Sequence, residues 1–576
     1  MYRRILAFNF DGTLAKDGHV PLPLQKALQQ AAAAGYGLFL VTGRRFGHAE
    51  LGSLEDRFSG IVWENGAVLH HTKTDEVYLP FGHLDRRLVK ALGSAGVPLE
   101  QGQAIVSTSE VYDETVWQVL SDSGVDAVVT HDREMTRILP PGAAKGAGLE
   151  RLLGLCGLSP RNLVSFGDGE GDLSLLLVGE MSVAVADAVP SLKEIADLVT
   201  SQPGPAGVLE ALETYWLPGG AGSPLPASQH ARSIPLGQDE AGEAVVIPAS
   251  ALADGNLGVF GDSGSGKSWV TGLLAEGMHH AGYQVLLIDP EGDFRGMRAL
   301  PGIAALEVTP SSLPPAAMIA TVLETVDVSV VVDLASYPLI DKVSYVADLL
   351  HALRPLKAHK FRPHWIVLEE AQQFVPPSDS TVWPALRPML AGGGWAVVSY
   401  RPDRLNRELL AGLDQCVVTR LSEPEAIEAL RQTTKGCLDA APVDTPHGYA
   451  WLRGQQMLRL RPSARRVPHI RHLYKYLDTP LPRHKRFYFR DDQGFLDMEA
   501  ASLFDFLRCL RTVSAESLAY HQERRDFAQW AGAALGDGIL ADQLRKLAQR
   551  PLQGEVLRET LLQRVATHYE ELRAGR

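Results

Sequence analysis

The sequence predicts an α/β protein with two doubly wound parallel-sheet domains and a helical C-terminal module. Short apolar runs alternate with helical stretches in two separate regions, which favours parallel strands covered by helices on both faces. Between the regions lies WLPGGAGSPLPASQHA, whose glycine, proline, serine and alanine content indicates a linker. Beyond residue 490 the pattern is helical. We therefore divide the chain into a domain at 1–215, a linker at 216–231, a domain at 232–470, and a basic arm with a helical module at 471–576.

The bulk composition indicates a cytoplasmic globular protein. Of 576 residues, 45% are hydrophobic and 21% are charged, which is ordinary for globular chains. No stretch approaches the ~18 uninterrupted apolar residues of a membrane span, and the apolar run in MYRRILAF is too short for a signal peptide. The net charge of −13 means that any nucleic-acid contact would need a local basic face. No CxxC spacing occurs, so we expect reduced thiols and no zinc site at Cys156, Cys416, Cys437 and Cys509.

In the first domain, polar residues follow predicted strands, where α/β sheets place their chemistry. The strand RILAFNF leads into DGT, the strand YGLFLV leads into TGR, and the strand NLVSF leads into GDGEGD. A lysine lies between them in PPGAAKGAGLE. Carboxylates suit Mg²⁺, while a lysine and a hydroxyl suit phosphate oxygens. The candidate pocket residues are Asn9, Asp11, Thr42, Lys145, Asp168 and Asp172.

These motifs resemble the haloacid dehalogenase (HAD) superfamily, in particular its Cof-type (subclass IIB) phosphatases. The pattern DxDGT is matched by NFDGT, GDGxND is matched by GDGEGD, and ENGA at 64–67 is similar to the start of the family's cap, expected at about 66–138. The resemblance implies that the first Asp of DxDGT is the nucleophile, but this position is Asn9. A carboxamide is neutral and a poor nucleophile. We therefore expect a phosphate sensor, or a retained fold, in which Asp11 has no nucleophile to assist.

The second domain carries a P-loop (Walker A motif), GDSGSGKS, after an apolar strand and before a helix. Backbone N–H groups would cradle the phosphates of ATP, Lys267 would reach the β- and γ-phosphates, and Ser268 would hold Mg²⁺. The candidate ATP-binding residues are Gly261, Asp262, Ser263, Gly264, Ser265, Gly266, Lys267, Ser268 and Trp269.

A pair of glutamates follows the strand HWIVL in HWIVLEEAQQF. Glu369 would hold Mg²⁺ in place of the commoner Asp, and Glu370 would polarise the attacking water.

Together with LLIDPEGDF, AVVSYRPDRL and SIPLGQDEAGEAVVIP, these motifs resemble the HerA/FtsK-type ATPases, which are ring-forming nucleic-acid pumps. The resemblance covers about 232–470. It implies ATP and Mg²⁺ as cofactors, a hexameric homo-oligomer, DNA or another nucleic acid as partner, and an arginine supplied by the neighbouring subunit. Arg401 and Arg420 are both candidates for that arginine. Tyr400 stands where the family usually has a glutamine that senses the γ-phosphate.

The segment from Arg459 to Arg490 contains ten Lys or Arg residues and one acidic residue. Aromatic residues are interleaved with them: Tyr474, Tyr476, Phe487, Tyr488 and Phe489. Contact with nucleic acid and an arm across an acidic neighbouring subunit are both open interpretations. Beyond it, His521, Asp526 and Trp530 form an H-x-x-x-R-D-F-x-x-W run similar to one in a small bacterial helical module. We interpret His521 as structural, since no metal spacing accompanies it, and the module as an interaction module.

The expected function is that of a Mg²⁺-dependent HerA/FtsK-type ATPase fused to a HAD sensor domain. Two alternatives are open. One is a working small-molecule phosphatase with an accessory nucleotide domain, and the other is a nucleotide-gated scaffold that binds ATP without turnover.

Overall fold

The computed structural model describes residues 4–132, 135–217, 232–307, 314–325, 327–335, 337–378, 380–433, 449–453, 456–467, 477, 480–481 and 483–573. The chain forms two compact units. The first comprises Met1–Arg232, Glu324–Val326 and Leu356–Arg362, and the second comprises Ser233–Leu323, Asp327–Pro355 and Pro363–Arg576. Within the described ranges, no helix has both the length and the apolar character that crossing a membrane requires.

The N-terminal unit is an α/β domain. Its strands are β1 (Ile5–Asn9), β2 (Gly37–Val41), β3 (Phe58–Trp63), β4 (Val68–His71), β5 (Glu76–Tyr78), β6 (Glu100–Gln101), β7 (Val106–Ser109), β8 (Val128–Asp132), β9 (Met135–Leu139), β10 (Leu163–Gly167), β11 (Met181–Ala184) and β12 (Leu198–Val199). Its helices are α1 (Leu22–Ala33), α2 (Arg86–Ser94), α3 (Asp113–Ser123), α4 (Lys145–Leu155), α5 (Leu173–Val178), α6 (Pro190–Ile195) and α7 (Gly204–Ala211).

The main sheet of this unit has the order β12-β11-β10-β1-β2-β3-β4-β5, parallel from β12 to β3. Strand β1 is buried along its whole length, as expected of a parallel strand covered on both faces. Because β1, β2 and β10 run in the same direction, the residues that follow them meet at one edge of the sheet.

The cap is a separate antiparallel sheet with the order β6-β7-β9-β8, accompanied by α2 and α3. The expected start of the cap near residue 66 was too early. Strand β4 folds back on β3, with Trp63 opposite Val68 and Ile61 opposite His70, so β4 and β5 extend the main sheet. The tight turn between β3 and β4 places Asn65 at φ 53°.

The second unit is also an α/β structure. Its strands are β13 (Ser233–Gln238), β14 (Ala244–Pro248), β15 (Asn256–Phe260), β16 (Val285–Asp289), β17 (Ile303–Glu307), β18 (Ser329–Asp333), β19 (Trp365–Leu368), β20 (Trp395–Ser399), β21 (Gln415–Val418), β22 (Tyr449–Arg453) and β23 (Gln456–Pro462). Its helices up to that point are α8 (Ser250–Asp254), α9 (Lys267–His280), α10 (Ala316–Leu323), α11 (Leu339–Lys360), α12 (Trp383–Leu390), α13 (Arg407–Ala411) and α14 (Pro424–Thr433).

The sheet of the second unit has the order β14-β13-β23-β22-β21-β15-β20-β19-β16-β18-β17. The strands from β21 to β17 are parallel, and those from β14 to β21 pair antiparallel. The carboxyl ends of β15, β16, β19 and β20 therefore lie along one edge. The two doubly wound domains predicted from the sequence are confirmed.

The C-terminal part of this unit begins with a hairpin and continues with helices. The hairpin is β24 (Phe487–Asp491) and β25 (Gly494–Ala500), and the helices are α15 (Leu503–Thr512), α16 (Ala515–Arg524), α17 (Asp526–Trp530), α18 (Gly538–Leu547) and α19 (Gly554–Arg573). The helical pattern expected from residue 491 onward was wrong up to residue 500, where β25 alternates in exposure with a period of two. Of the basic segment, Tyr474 and Tyr476 lie outside the described residues.

Candidate functional site

The N-terminal site is built around the side chain of Asn9, the last residue of β1. Asn9 Nδ2 donates hydrogen bonds to Asp168 Oδ1 at 2.8 Å and to the Asp11 carbonyl oxygen at 2.8 Å. Asn9 Oδ1 accepts a bond from Lys145 Nζ at 3.0 Å. A cationic donor on one side and oxygen acceptors on the other fix which way the amide faces. An N–H donor of Asn9 therefore points at the Asp168 carboxylate and the Asp11 carbonyl. An aspartate at position 9 would have placed a carboxylate oxygen there instead.

Lys145 begins α4, and its ammonium also donates to Asp172 Oδ1 at 2.7 Å. The other oxygen of Asp172 accepts bonds from the backbone N–H groups of Asp168 and Gly169 at 3.0 and 3.1 Å. Asp172 is fully buried. This carboxylate therefore ties the loop after β10 to the lysine.

Asp168 is partly buried, and this burial raises the pKa of its carboxyl above the usual range. The hydroxyl of Thr13, which donates to Asp168 Oδ1 at 2.6 Å, opposes that pKa shift. The sequence analysis did not single out Thr13, although it is the last residue of NFDGT.

Asp11 is held by Arg44, another residue that sequence reasoning missed. Arg44 Nε and Nη2 donate to the two carboxylate oxygens at 2.9 and 2.7 Å, and the guanidinium lies over the Phe10 ring. The hydrogen bond to Asp11 raises the pKa of Arg44. Thr42 Oγ1 accepts a bond from the Arg44 backbone N–H at 3.1 Å, so the buried threonine fixes the turn that carries the arginine.

As arranged, the oxygens of this pocket do not fit a Mg²⁺ ion. Asn9 Nδ2 is bonded to both the Asp11 carbonyl and Asp168, which are oxygens of the kind that hold Mg²⁺. A cation next to an N–H group in that position would be repelled. Among the described residues, no group of three or more His, Cys, Asp or Glu is placed to hold a metal ion.

The second site lies at the P-loop between β15 and α9. Gly266 has φ 105°, and a Cβ on Gly261 would lie 1.8 Å from Thr419 Oγ1, so both positions need glycine. Lys267 begins α9, is 4% exposed, and its Nζ donates to the Asp262 carbonyl at 3.1 Å. Ser265 Oγ donates to the same carbonyl at 2.7 Å. The loop thus folds around its own lysine.

Ser268 Oγ donates to Asp293 Oδ2 at 3.0 Å. Asp293 lies in the LLIDPEGDF loop after β16, and sequence reasoning did not assign it to the site. A hydroxyl and a carboxylate are oxygen ligands of the kind that Mg²⁺ prefers, so this pair fits the ion. The indole N–H of Trp269 donates to the Ser463 carbonyl at 3.2 Å.

The same loop is organised around Asp289, which ends β16. Its carboxylate accepts backbone bonds from Glu291, Gly292 and Phe294 at 2.8–3.1 Å. Burial, reinforced by Asp293 and Asp333, raises the pKa of Asp289 to about 8.

Asp262 joins the P-loop to the segment after β21. Its carboxylate accepts bonds from Ser422 N and Oγ at 3.1 and 2.8 Å, and Arg420 Nε lies 3.6 Å from it. Arg401 pairs with Asp403 through two bonds of 2.8 and 2.6 Å, which raise the pKa of Arg401. Each arginine proposed to act on a neighbouring subunit is therefore in an ion pair within its own chain.

Glu369 and Glu370 follow β19, and they are 4% and 3% exposed. Glu370 has φ 48°, which turns the chain sharply and brings Gln372 back toward it. Gln372 Nε2 donates to Glu370 Oε2 at 2.5 Å, and Gln372 Oε1 accepts a bond from Ser399 Oγ at 2.6 Å. Burial, with Glu370 nearby, raises the pKa of Tyr400. The Gln372 link is a second feature that the sequence did not reveal.

His521 has a structural environment. Its Nε2 accepts the Arg490 backbone N–H at 3.0 Å, and its Nδ1 bonds Asp526 Oδ2 at 2.7 Å. Burial lowers the pKa of this histidine. Nε2 therefore ties α16 to β24, and Nδ1 ties α16 to α17.

Comparisons with known proteins match two parts of the chain to two families. A family model described as haloacid dehalogenase-like hydrolase matches residues 97–212, and one described as the central domain of helicase HerA matches residues 236–346. Phosphoglycolate phosphatase of Methanothermobacter thermautotrophicus is 33% identical over 222 residues, which are 37% of this chain and 98% of that protein. Phosphoglycolate phosphatase 2 of Saccharolobus solfataricus is 27% identical over 214 residues, 36% of this chain and 91% of that protein.

A solved haloacid dehalogenase-like hydrolase from Bacteroides thetaiotaomicron is 18% identical and covers 36% of this chain and 98% of its own, with a TM-score of 0.33. Both curated relatives cover only about the first third of this chain. The chain belongs to the haloacid dehalogenase-like hydrolases through its N-terminal domain, to which it joins a HerA-type domain.

Proposed function

We propose that the second unit is a Mg²⁺-dependent ATPase of the HerA type, and that the N-terminal domain binds a phosphorylated ligand without hydrolysing it. One observation carries the first part. Lys267, Ser268 and the buried pair Glu369–Glu370 lie at the same edge of the parallel part of one sheet.

The nucleotide-binding step follows from the P-loop contacts. Lys267 Nζ is bonded to a neutral carbonyl, and a charged phosphate oxygen makes a stronger bond with an ammonium. The lysine is therefore expected to exchange the Asp262 carbonyl for the β- and γ-phosphates. Ser268 and Asp293 would hold Mg²⁺, with Glu369 as a further candidate ligand, and the ion would neutralise phosphate charge.

Glu370 is the residue expected to accept a proton from the attacking water. Its bond to Gln372 holds one carboxylate oxygen in a fixed position. Gln372 is in turn fixed by Ser399 at the end of β20. Gln372 is therefore a positioning residue for Glu370.

The test is steady-state ATP hydrolysis by the full chain with Mg²⁺, with and without duplex DNA. Lys267→Ala is compared with Lys546→Ala, which removes an exposed lysine of α18. Activity lost only in Lys267→Ala supports the ATPase, and full activity in that variant refutes it. Binding of ATP without turnover favours the scaffold. Stimulation by DNA that weakens with salt supports a nucleic-acid partner, and native mass spectrometry tests the proposed hexamer.

The second part of the proposal rests on the Asn9 amide. The Lys145 ammonium is a donor that suits an anion, but the neutral Asn9 amide is a poor nucleophile. Because the relatives are named phosphoglycolate phosphatases, we propose a small phosphate ester such as phosphoglycolate as the ligand. Calorimetric binding of phosphoglycolate that is lost in Lys145→Ala, without phosphate release, is the expected result.

The rival candidate is a working phosphatase. The 33% identity to a relative that is named a phosphoglycolate phosphatase favours it. It predicts Mg²⁺-dependent phosphate release that Asp11→Ala abolishes. Phosphate release by the unaltered chain above the level of an Asp11→Ala control would therefore refute the sensor.

A further inference from the structure

The P-loop receives an ammonium group from outside its own motif. Lys485 Nζ donates to the Ser263 carbonyl at 3.1 Å, and Lys267 Nζ donates to the Asp262 carbonyl at 3.1 Å. These carbonyls belong to consecutive residues of the P-loop. Two positively charged side chains, separated by 218 positions in the sequence (485 − 267), thus converge on adjacent peptide groups.

Lys485 is held there by the C-terminal module rather than by the nucleotide domain. It closes the turn Arg483–Lys485, which leads directly into β24. Its carbonyl accepts the indole N–H of Trp530 at 2.9 Å. Trp530 packs against Phe487 and Phe506, with ring centroids 5.6 and 4.8 Å apart. The backbone that carries this lysine is therefore anchored in an aromatic core.

The arrangement has the properties of an anion site. Ammonium groups that share a small region repel one another, so an anion that contacts both is stabilised there. A polyphosphate would bond both, and charge-assisted bonds to phosphate are stronger than bonds to carbonyls. The P-loop itself is a phosphate-binding element, since its N–H groups point into the loop.

We infer that Lys485 is a phosphate-binding residue for the nucleotide of the P-loop, supplied by the C-terminal module. The inference rests on the proposed ATP binding and adds to it a route of regulation. Because Lys485 is fixed to β24 and Trp530, nucleotide that bonds Lys485 also stabilises the docking of the module. By linkage, a partner that displaced the module would weaken nucleotide binding by the same factor.

The experiment measures the dissociation constants of ADP and of a non-hydrolysable ATP analogue with the full chain. Lys485→Met keeps the aliphatic stem and removes the charge, Lys485→Arg keeps the charge, and Lys546→Ala removes an exposed charge from the same module. We expect Lys485→Met to weaken analogue binding by at least about tenfold, equivalent to about 1.4 kcal/mol. Lys485→Arg should recover most of this loss, and Lys546→Ala should match the unaltered chain.

Hydrogen exchange provides a readout that does not depend on affinity. In the unaltered chain, saturating analogue should slow exchange across β24 and α17, and Lys485→Met should abolish that protection at saturating analogue. Unchanged affinity and unchanged protection in Lys485→Met would overturn the inference while leaving the ATPase proposal intact. If the unaltered chain bound neither nucleotide, both would be overturned. Equal melting temperatures of the variants serve as the folding control.

Discussion

The substitution Asn9→Asp is expected to destabilise the N-terminal domain when divalent cations are absent. Asn9 Nδ2 lies 2.8 Å from Asp168 Oδ1, so the change places one carboxylate oxygen against another. At an effective dielectric constant of about 20, unit charges at that distance repel by about 6 kcal/mol. Lys145 Nζ, 3.0 Å from the other side-chain oxygen, offsets about 5.5 kcal/mol of this repulsion.

Because this repulsion and this attraction nearly cancel, the main effect is the loss of the amide hydrogen bond to a charged acceptor. Such a bond contributes about 1.5–3 kcal/mol to the free energy of unfolding. For a domain of this size, each kcal/mol lowers the melting temperature by about 2–4 °C, so we expect a decrease of about 3–12 °C in EDTA. In the variant, Mg²⁺ would supply the positive charge that the carboxylate pair lacks. Added Mg²⁺ should therefore raise the melting temperature of the variant more than that of the unaltered domain.

Differential scanning calorimetry of the full chain, in EDTA and in Mg²⁺, measures this effect. The matched control is the double variant Asn9→Asp/Asp168→Asn, which exchanges donor and acceptor and should recover stability in EDTA. A single variant as stable as the unaltered chain in EDTA would refute the reasoning. If Asn9→Asp also gained hydrolysis of a phosphate ester, the substitution at position 9 alone would account for a silent pocket.

Three further outcomes are expected. Gln372→Ala removes the hydrogen bond that positions the Glu370 carboxylate, so it should lower kcat for ATP hydrolysis about tenfold with little change in KM. An unchanged kcat would contradict the positioning role. Arg44→Ala should destabilise the N-terminal domain by about 1 kcal/mol at low salt and less at high salt, since the pair with Asp11 is partly exposed. Burial lowers the pKa of His521. The contribution of His521 to the free energy of unfolding should therefore be full above about pH 6.5 and fall as the pH drops below that value. Urea unfolding of His521→Gln should lack this pH-dependent contribution.

Local sequence signals were sufficient for the two sheets and for most of each site. The uninterrupted apolar runs of β1 and β15 predict buried parallel strands, and the P-loop follows β15 directly. Positions at the ends of parallel strands converge for topological reasons, which is why Asn9, Thr42 and Asp168 could be grouped before their contacts were known.

The residues that were missed depend on local backbone geometry or on long-range packing. Gln372 reaches Glu370 because the chain turns at a positive φ, and no composition signal marks a non-glycine residue that adopts this conformation. Lys485 meets Ser263 across 222 positions, a contact that a single sequence does not encode locally. The hairpin β24–β25 did carry a sequence signal, the alternation of apolar and polar residues in LDMEA, which the helical expectation overlooked.

The pairing of β13 has a consequence for synthesis on the ribosome. Gly237 in β13 pairs with Pro462 in β23, whereas β1 to β12 of the N-terminal domain all lie within the first 199 residues. At about 5–20 residues per second, the roughly 220 residues between the paired strands take about 10–45 s to emerge. The N-terminal domain can therefore complete its main sheet while β13 is paired only with β14 and still lacks its second partner, β23. Chaperone binding to nascent chains should accordingly concentrate on the interval that begins at β13 and end once β23 has left the exit tunnel.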